Sequence, residues 1–296
     1  MRLLDALGSA AKRLEQAGID DPLADAEVIV FHASGMDRLA AYSHNPVIDR
    51  KTLAKITRLV SRRIRGEPVQ YIAGSVDFLG LHISVGKGVL IPRPETELLV
   101  QEAIRRLKRS AIDDLRILDL CTGTGCIALA LAREFPAASV VGTDISRIAI
   151  GFAKRNASAN GITNVAFLTG SLFDHVEDKV FNMVISNPPY IRADEIDTLQ
   201  PEIRQWEPRN ALDGGPDGLH YYRAILSGVR AHLRDGGTVM LELGYDQAVA
   251  VRAIAAQEGF GEIGLTKDYA GVERIFSAVF RKKSVLAPAG VVDKKR

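Results

Sequence analysis

Residues 117–132 read ILDLCTGTGCIALALA. An apolar run passes through a turn containing two glycines into a second apolar run. A short apolar segment that ends in glycine reads as a buried strand. Gly123 and Gly125 let the backbone turn tightly and approach a ligand closely, so the stretch is a strand, a turn and a helix. Asp119 lies at the end of this strand, and Asp144 closes the next one, ASVVGTD (138–144), nineteen residues after Gly125. A carboxylate in that place can accept both hydroxyl hydrogens of an adenosine ribose. Together these features indicate an adenosine-containing cofactor without saying which. Gly123 to Ala128 also satisfies the relaxed dinucleotide pattern G-x-G-x-x-A, so NAD is an open rival.

Beyond this unit the same alternation continues. Strands are predicted at 116–122, 138–144, 164–170, 181–186 and 237–244, with two more near FGEIGLTKD and RIFSAVF. Helical segments such as CIALALAREF and SRIAIGFAKRNASANG lie between them. Such a pattern predicts a mostly parallel sheet covered by helices on both faces, with the late pair as an edge hairpin. Residues 1–72 instead read as helices. Asp21 and Pro22 open one of them, which stops near Gly35. Another carries Leu53, Ile56, Val60 and Ile64 on one face and Lys51, Lys55, Arg58, Arg62 and Arg65 on the other. That basic stripe is either a solvated helix face or a dock for an acidic partner or RNA phosphates. VDFLGLHISVG (76–86) has the alternation of a β-hairpin. The organisation expected is a helical substrate-recognition domain (1–72), a hairpin linker (73–87), a catalytic domain (88–281) and a disordered basic tail (282–296). No internal repeat is visible.

The composition, 47% hydrophobic and 25% charged with net charge +2, is that of an ordinary globular protein. No apolar run approaches the roughly 18 residues of a membrane span, and the N-terminus has acids among its apolar residues and no cleavage-like site, so it reads as a helix rather than a signal peptide. The two cysteines, Cys121 and Cys126, make no disulfide framework and have no His or Cys partners at zinc spacing. A reducing cytoplasm, a monomer and no metal are the expectations.

The fourth strand leads into SNPPYI (186–191). Two prolines supply no N–H and hold the chain extended, so this segment is stiff and leaves carbonyls unpaired. At the carboxyl edge of a parallel sheet it faces the ligand. The side-chain oxygen of Asn187 can accept one N–H of a planar NH2 group and the Pro188 carbonyl the other, while Tyr190 offers a flat face. The prolines hold both acceptors rigid, which suits transfer of a methyl group to an amide or amine nitrogen.

The set IPRPETE (91–97), DLCTGTG (119–125), SNPPYI, EPRNALDGGPDGL (207–219) and YAGVERI (269–275), together with RRIRGEPVQYIAG in the helical region, resembles the PrmC/HemK protein-glutamine N5-methyltransferases over nearly the whole chain. NPPY alone is shared with adenine-N6 and guanine-N2 methyltransferases; the IPRPETE and EPRNALDGG pieces are far more specific. The resemblance implies a class I methyltransferase fold, Rossmann-like with a seven-stranded sheet, that uses S-adenosylmethionine and yields S-adenosylhomocysteine. It implies that the substrate is the glutamine of the Gly-Gly-Gln motif of class-1 peptide chain release factors. By position, Cys121, Thr122, Gly123, Thr124 and Gly125 line the methionine end of the cofactor, Asp144 its ribose, and Ser171 and Leu172 its adenine. Asn187 stands at the transfer point, Asn187, Pro188, Pro189 and Tyr190 hold the glutamine amide, and Leu90 borders the amide slot. Asn187, Pro188 and Tyr190 are the catalytic candidates. Cys121 departs from a common Gly, Ser171 from a frequent Asp and Leu172 from a Trp.

No histidine is placed as a general base; His175, His220 and His232 are expected at the surface. Arg93, Glu95 and Glu97 could close the site or build the interdomain joint, with no catalytic step assigned. The alternatives are an N-methyltransferase acting on a base amine of RNA or DNA, which would more often be strongly basic, and an idle binding module, which has no need of Asn187, Asp144 and the glycine loop together. No stable nucleic-acid or membrane partner is expected.

Overall fold

The computed structural model describes residues 1–110 and 112–282; the expected disordered tail lies outside the described residues from 283 onward. The chain opens with five helices, α1 (Leu3–Gln16), α2 (Pro22–Ser34), α3 (Arg38–His44), α4 (Arg50–Ile64) and α5 (Val69–Ala73). Three begin on aspartate caps: Asp21, Asp37 and Asp49 accept the N–H of Ala24, Ala40 and Thr52, which satisfies donors the helix itself cannot. Leu3, Leu7 and Leu14 of α1 pack with Ile29 and Val30 of α2 and with Ile56, Leu59 and Val60 of α4 into one apolar core.

The inward face of α4 differs from expectation. Leu53 is only half-buried and Ile64 is exposed, while Leu59 and Arg63 are buried. Arg63 turns inward because two carboxylates wait for it, Asp25 at 2.5 Å and Glu202 of the catalytic domain at 2.6 Å. Nor is the basic stripe a row of free charges. Lys55 donates to the carbonyls of His32 and Ala33 at the end of α2, and Arg62 pairs with Glu67. Lys51, Arg58 and Arg65 remain exposed. Arg63→Ala leaves two carboxylates without their shared cation. It is expected to cost about 3 kcal/mol, the lower end for a broken buried pair because Glu202 is partly solvated, and this is read from urea midpoints at constant slope.

The linking hairpin is β1 (Ser75–Phe78) and β2 (Leu81–Ser84), antiparallel. Its apolar side, Phe78, Leu81 and Ile83, packs into the catalytic core. α5 is divided: Val69 and Ile72 belong to the helical core, whereas Tyr71 packs with the catalytic one.

The catalytic region continues with α6 (Pro94–Lys108), β3 (Arg116–Leu120), α7 (Cys126–Glu134), β4 (Ser139–Asp144), α8 (Arg147–Ala159), β5 (Val165–Thr169) and β6 (Phe181–Ser186). It closes with α9 (Pro201–Trp206), α10 (His220–Gly228), β7 (Leu233–Glu242), α11 (Ala248–Gln257), β8 (Glu262–Lys267) and β9 (Glu273–Val279). Asn156 of α8 and Asn160, the residue that caps its C-terminus, bond both backbone groups of Ser84 and His82 and so hold the edge of β2.

The seven described strands run in the order β5-β4-β3-β6-β7-β9-β8, and β9 alone runs opposite to the others. Successive side chains point to opposite faces. Ile117, Met183 and Met240 therefore enter the core beneath α6 and α7, while Leu118, Val184 and Val239 enter the one beneath α10 and α11. The chain winds outward from β3 to β5, then returns to lay β6 on the other side of β3. Strand order reverses there, and a ligand crevice opens at the carboxyl ends. As expected, the late hairpin lies at the sheet edge, with β9 inside and β8 outermost.

Candidate active site

Register delivers the site. Leu120 pairs with Thr143 on one side and with Ser186 on the other, and Ser186 pairs with Leu241. One residue further along four adjacent strands stand Cys121, Asp144, Asn187 and Glu242. No local signal brings these together; the sheet does.

The glycine loop is held by two carboxylates. Asp119 Oδ2 accepts the Thr122 hydroxyl at 2.5 Å and the Ala128 N–H at 3.2 Å, while Oδ1 is buried with no partner among the described residues. Asp144 accepts the N–H of Gly123 at 2.9 Å and of Ser146 at 2.8 Å. Burial raises both groups above the usual carboxylate range, Asp119 to about 7. Two proton-hungry carboxylates, Asp144 on the cleft wall and Asp119 buried behind the glycine loop, suit a ligand carrying positive charge. Cys121 has φ 56°, a left-handed conformation in which a side chain costs about 1–2 kcal/mol; glycine would serve there on backbone grounds alone. Gly125 serves packing, since a Cβ would come within 3.0 Å of Ala153 and Phe167.

A solvent-open cleft lies above the strand ends. Among the expected residues it is lined by Leu90, Cys121, Thr122, Gly123, Thr124, Asp144, Ser171, Leu172, Asn187 and Pro189; Gly125 is not on its wall. The Ser171 N–H is held by the side chain of Asp174, and the Leu172 carbonyl accepts the Thr143 hydroxyl. Gly88, Val89, Pro92 and Ile145 form walls that the sequence did not mark as site residues. The Tyr71 hydroxyl donates to the Val89 carbonyl, tying α5 to that wall.

A second pocket contains Pro188 and Tyr190, with Arg93, Ile191, Ile203 and Leu212. The two pockets share Leu90, Asn187 and Ala211. Asn187 Nδ2 donates to Thr96 Oγ1 at 3.0 Å, and Oδ1 accepts nothing from the described residues yet is not sealed off. No described backbone N–H reaches the Pro188 carbonyl. The Thr96 hydroxyl donates to Glu242 Oε2 at 2.7 Å, and the Tyr190 hydroxyl lies 3.3 Å from Glu242 Oε1.

The EPRNALDGG segment braces the prolines. The Ile191 N–H donates to Leu212, and the Gly214 N–H donates to Ile191. Gln247 Nε2 holds the Tyr190 carbonyl at 2.8 Å. Glu207 accepts the Ile91 N–H and the Arg93 guanidinium, so Arg93 belongs to a joint between the two most specific motifs. Glu97 accepts the N–H of Leu79 in the hairpin. His175 and His220 are exposed, but His232 is not: it is buried and stacks on Phe173 at 4.6 Å. Thr96, Gln247 and Glu242 went unread in the sequence. The glycines of LDGGPDGL were the available hint that another backbone passes close by.

Residues 5–74 match the PrmC N-terminal domain and residues 95–204 the Methyltransferase small domain. A release factor glutamine methyltransferase of Thermodesulfovibrio yellowstonii is 44% identical over 85% of this chain and 90% of its own, and one of Geobacter sulfurreducens is 41% identical over 88% and 91%. A methyltransferase from Pyrococcus furiosus, 20% identical, superposes with a TM-score of 0.51 over 68% of this chain and 89% of its own, a likeness of fold. With the helical domain, the hairpin and the seven-stranded sheet all in place, identity at this level along most of both chains makes this protein a member of the release factor glutamine methyltransferase family.

Proposed function

We propose that the protein transfers a methyl group to the side-chain amide nitrogen, N5, of the glutamine in the Gly-Gly-Gln motif of class-1 peptide chain release factors in the cytoplasm, with S-adenosylmethionine as donor. Two pockets that meet at an asparagine with a free acceptor oxygen carry this reading. The names of the curated relatives support the substrate.

The cleft beside the glycine loop fits the donor chemically. Asp144 stands where a ribose diol would be accepted, and the unpartnered, buried Oδ1 of Asp119 suits the ammonium end of the methionine moiety. S-adenosylmethionine supplies an activated methyl group on a sulfonium. Asn187 Oδ1 and the Pro188 carbonyl accept the two N–H of the glutamine amide and aim its nitrogen lone pair at the shared wall of the pockets. As positive charge develops on that nitrogen, the same two oxygens stabilise it without reorganising. The surplus proton leaves to water. The helical domain takes the role of holding the protein substrate.

Asp119→Asn separates stability from binding. The folded-state pKa of Asp119 is raised, so its contribution to stability is full below about pH 4 and is lost as pH rises through about 7. The variant should be more stable than wild type at pH 8, by urea midpoint, and bind the cofactor at least about tenfold more weakly by calorimetry, having lost a charge-assisted contact.

The deciding experiment incubates unmodified class-1 release factor with the protein and S-adenosylmethionine, then measures intact mass and maps peptides. One added methyl on the Gly-Gly-Gln glutamine is the expected result. No gain there, with transfer to ribosomal RNA or DNA in a parallel assay, would replace the substrate with a base amine.

A further inference from the structure

We propose that Glu242, acting through Thr96, is a positioning residue that sets which way round the Asn187 amide sits, making Asn187 an acceptor at the reacting centre. The inference rests on the glutamine-amide reading of the pocket.

An asparagine amide is nearly symmetric in shape, so packing alone does not decide which end faces a ligand; the polarity of its fixed partner does. Here that partner is the Thr96 hydroxyl, which has one hydrogen to give. An ionised carboxylate only accepts. Glu242 Oε2, at 2.7 Å, therefore takes the Thr96 hydrogen and leaves only lone pairs toward Asn187. Asn187 must then present Nδ2 to Thr96, as it does at 3.0 Å, and Oδ1 to the pocket. Thr96 is 2% and Glu242 1% exposed, so water does not offer substitute partners. Oε1 of the same carboxylate receives the Tyr190 hydroxyl. One buried side chain thus orders both ends of the Asn-Pro-Pro-Tyr segment.

The relay has a pH dependence. Burial pushes Glu242 up to about 7, against the lowering effects of the Thr96 and Tyr190 hydroxyls and of Arg274 from β9, while Glu95 of α6 raises it further. A protonated Glu242 can donate to Thr96 instead. The Thr96 hydrogen is then free to turn to Asn187, and the amide can flip so that Nδ2 meets the substrate NH2, donor against donor. Transfer should therefore rise with ionisation of Glu242.

The test compares wild type, Thr96→Val, Thr96→Ser and Glu242→Gln in single-turnover methylation of release factor across pH, with S-adenosylhomocysteine binding measured in parallel. Thr96→Val keeps the shape and removes the relay. Its rate should fall about tenfold to a hundredfold, the cost of one misplaced buried hydrogen bond, with product affinity unchanged. Thr96→Ser should restore most of the rate, and Glu242→Gln should lose the acidic limb seen in wild type. A wild-type rate in Thr96→Val, or a parallel loss of S-adenosylhomocysteine binding, overturns the relay; Thr96→Val decides the matter even if Glu242→Gln fails to fold. A wild type that leaves the glutamine unmodified overturns the proposed function instead, and the same variants are then judged on the substrate it does methylate.

Discussion

Asn187→Ala is expected to lower the methylation rate by about 10²–10³-fold, the usual cost of one preorganised polar group at a charge-developing centre. Cofactor affinity should stay close to that of wild type. The cleft that suits the cofactor keeps Asp119, Asp144 and the glycine loop, whose bonds do not involve Asn187. What disappears is one of two acceptors for the substrate NH2, and with it the direction of the nitrogen lone pair. Rapid-mixing single turnovers at saturating cofactor, with a titration of S-adenosylhomocysteine, separate the effects. If product binding were lost and turnover per bound cofactor preserved, Asn187 would be a wall of the cofactor cleft and nothing more.

Gly218→Ala should be nearly as damaging by another route. A Cβ there would lie 2.5 Å from the Tyr190 carbonyl oxygen and 2.6 Å from Gln247 Nε2, and Gly218 has φ +71°. The methyl group must displace either the rigid backbone after the prolines or the side chain that holds it. The left-handed backbone and the overpacking together cost about 2–5 kcal/mol, and an NPPY segment pushed aside misaims both acceptors. Gly161→Ala is the control, with φ +67° but no atom within 4 Å of the added carbon. It should show a loss of about 1–2 kcal/mol from the backbone alone, with methylation intact. Equal stability and activity losses in the two variants would mean that the close approach to Tyr190 is not what matters.

Much of this was legible because it is local. The glycine turn, the aspartate at the next strand end and the proline pair each lie within a few residues of the structure they impose. The strand alternation follows from period-two burial of Ile117, Leu118 and their neighbours. What escaped depends on residues far apart in sequence. Thr96 and Glu242 are 146 residues apart and meet only because helix α6 starts over the end of β7. Nothing around Arg63 in the sequence announces Glu202, which folds against it from the far domain. His232 reads as polar until Phe173 covers its ring. Residue type announced the chemistry of Asn187, but nothing in its neighbourhood announced what holds its amide.

The strand order also bears on biosynthesis. β9 is the last of the described strands, yet it lies inside the sheet between β7 and β8. Until it emerges from the ribosome, β7 offers a bare row of backbone donors and acceptors along one side, and β8 has no neighbour at all. Such an edge invites pairing with another chain. A nascent or prematurely stopped polypeptide ending before residue 273 would already carry the glycine loop, the prolines and Glu242, and would still be a sticky intermediate. Quality-control proteases and chaperones should meet this protein mainly in that form.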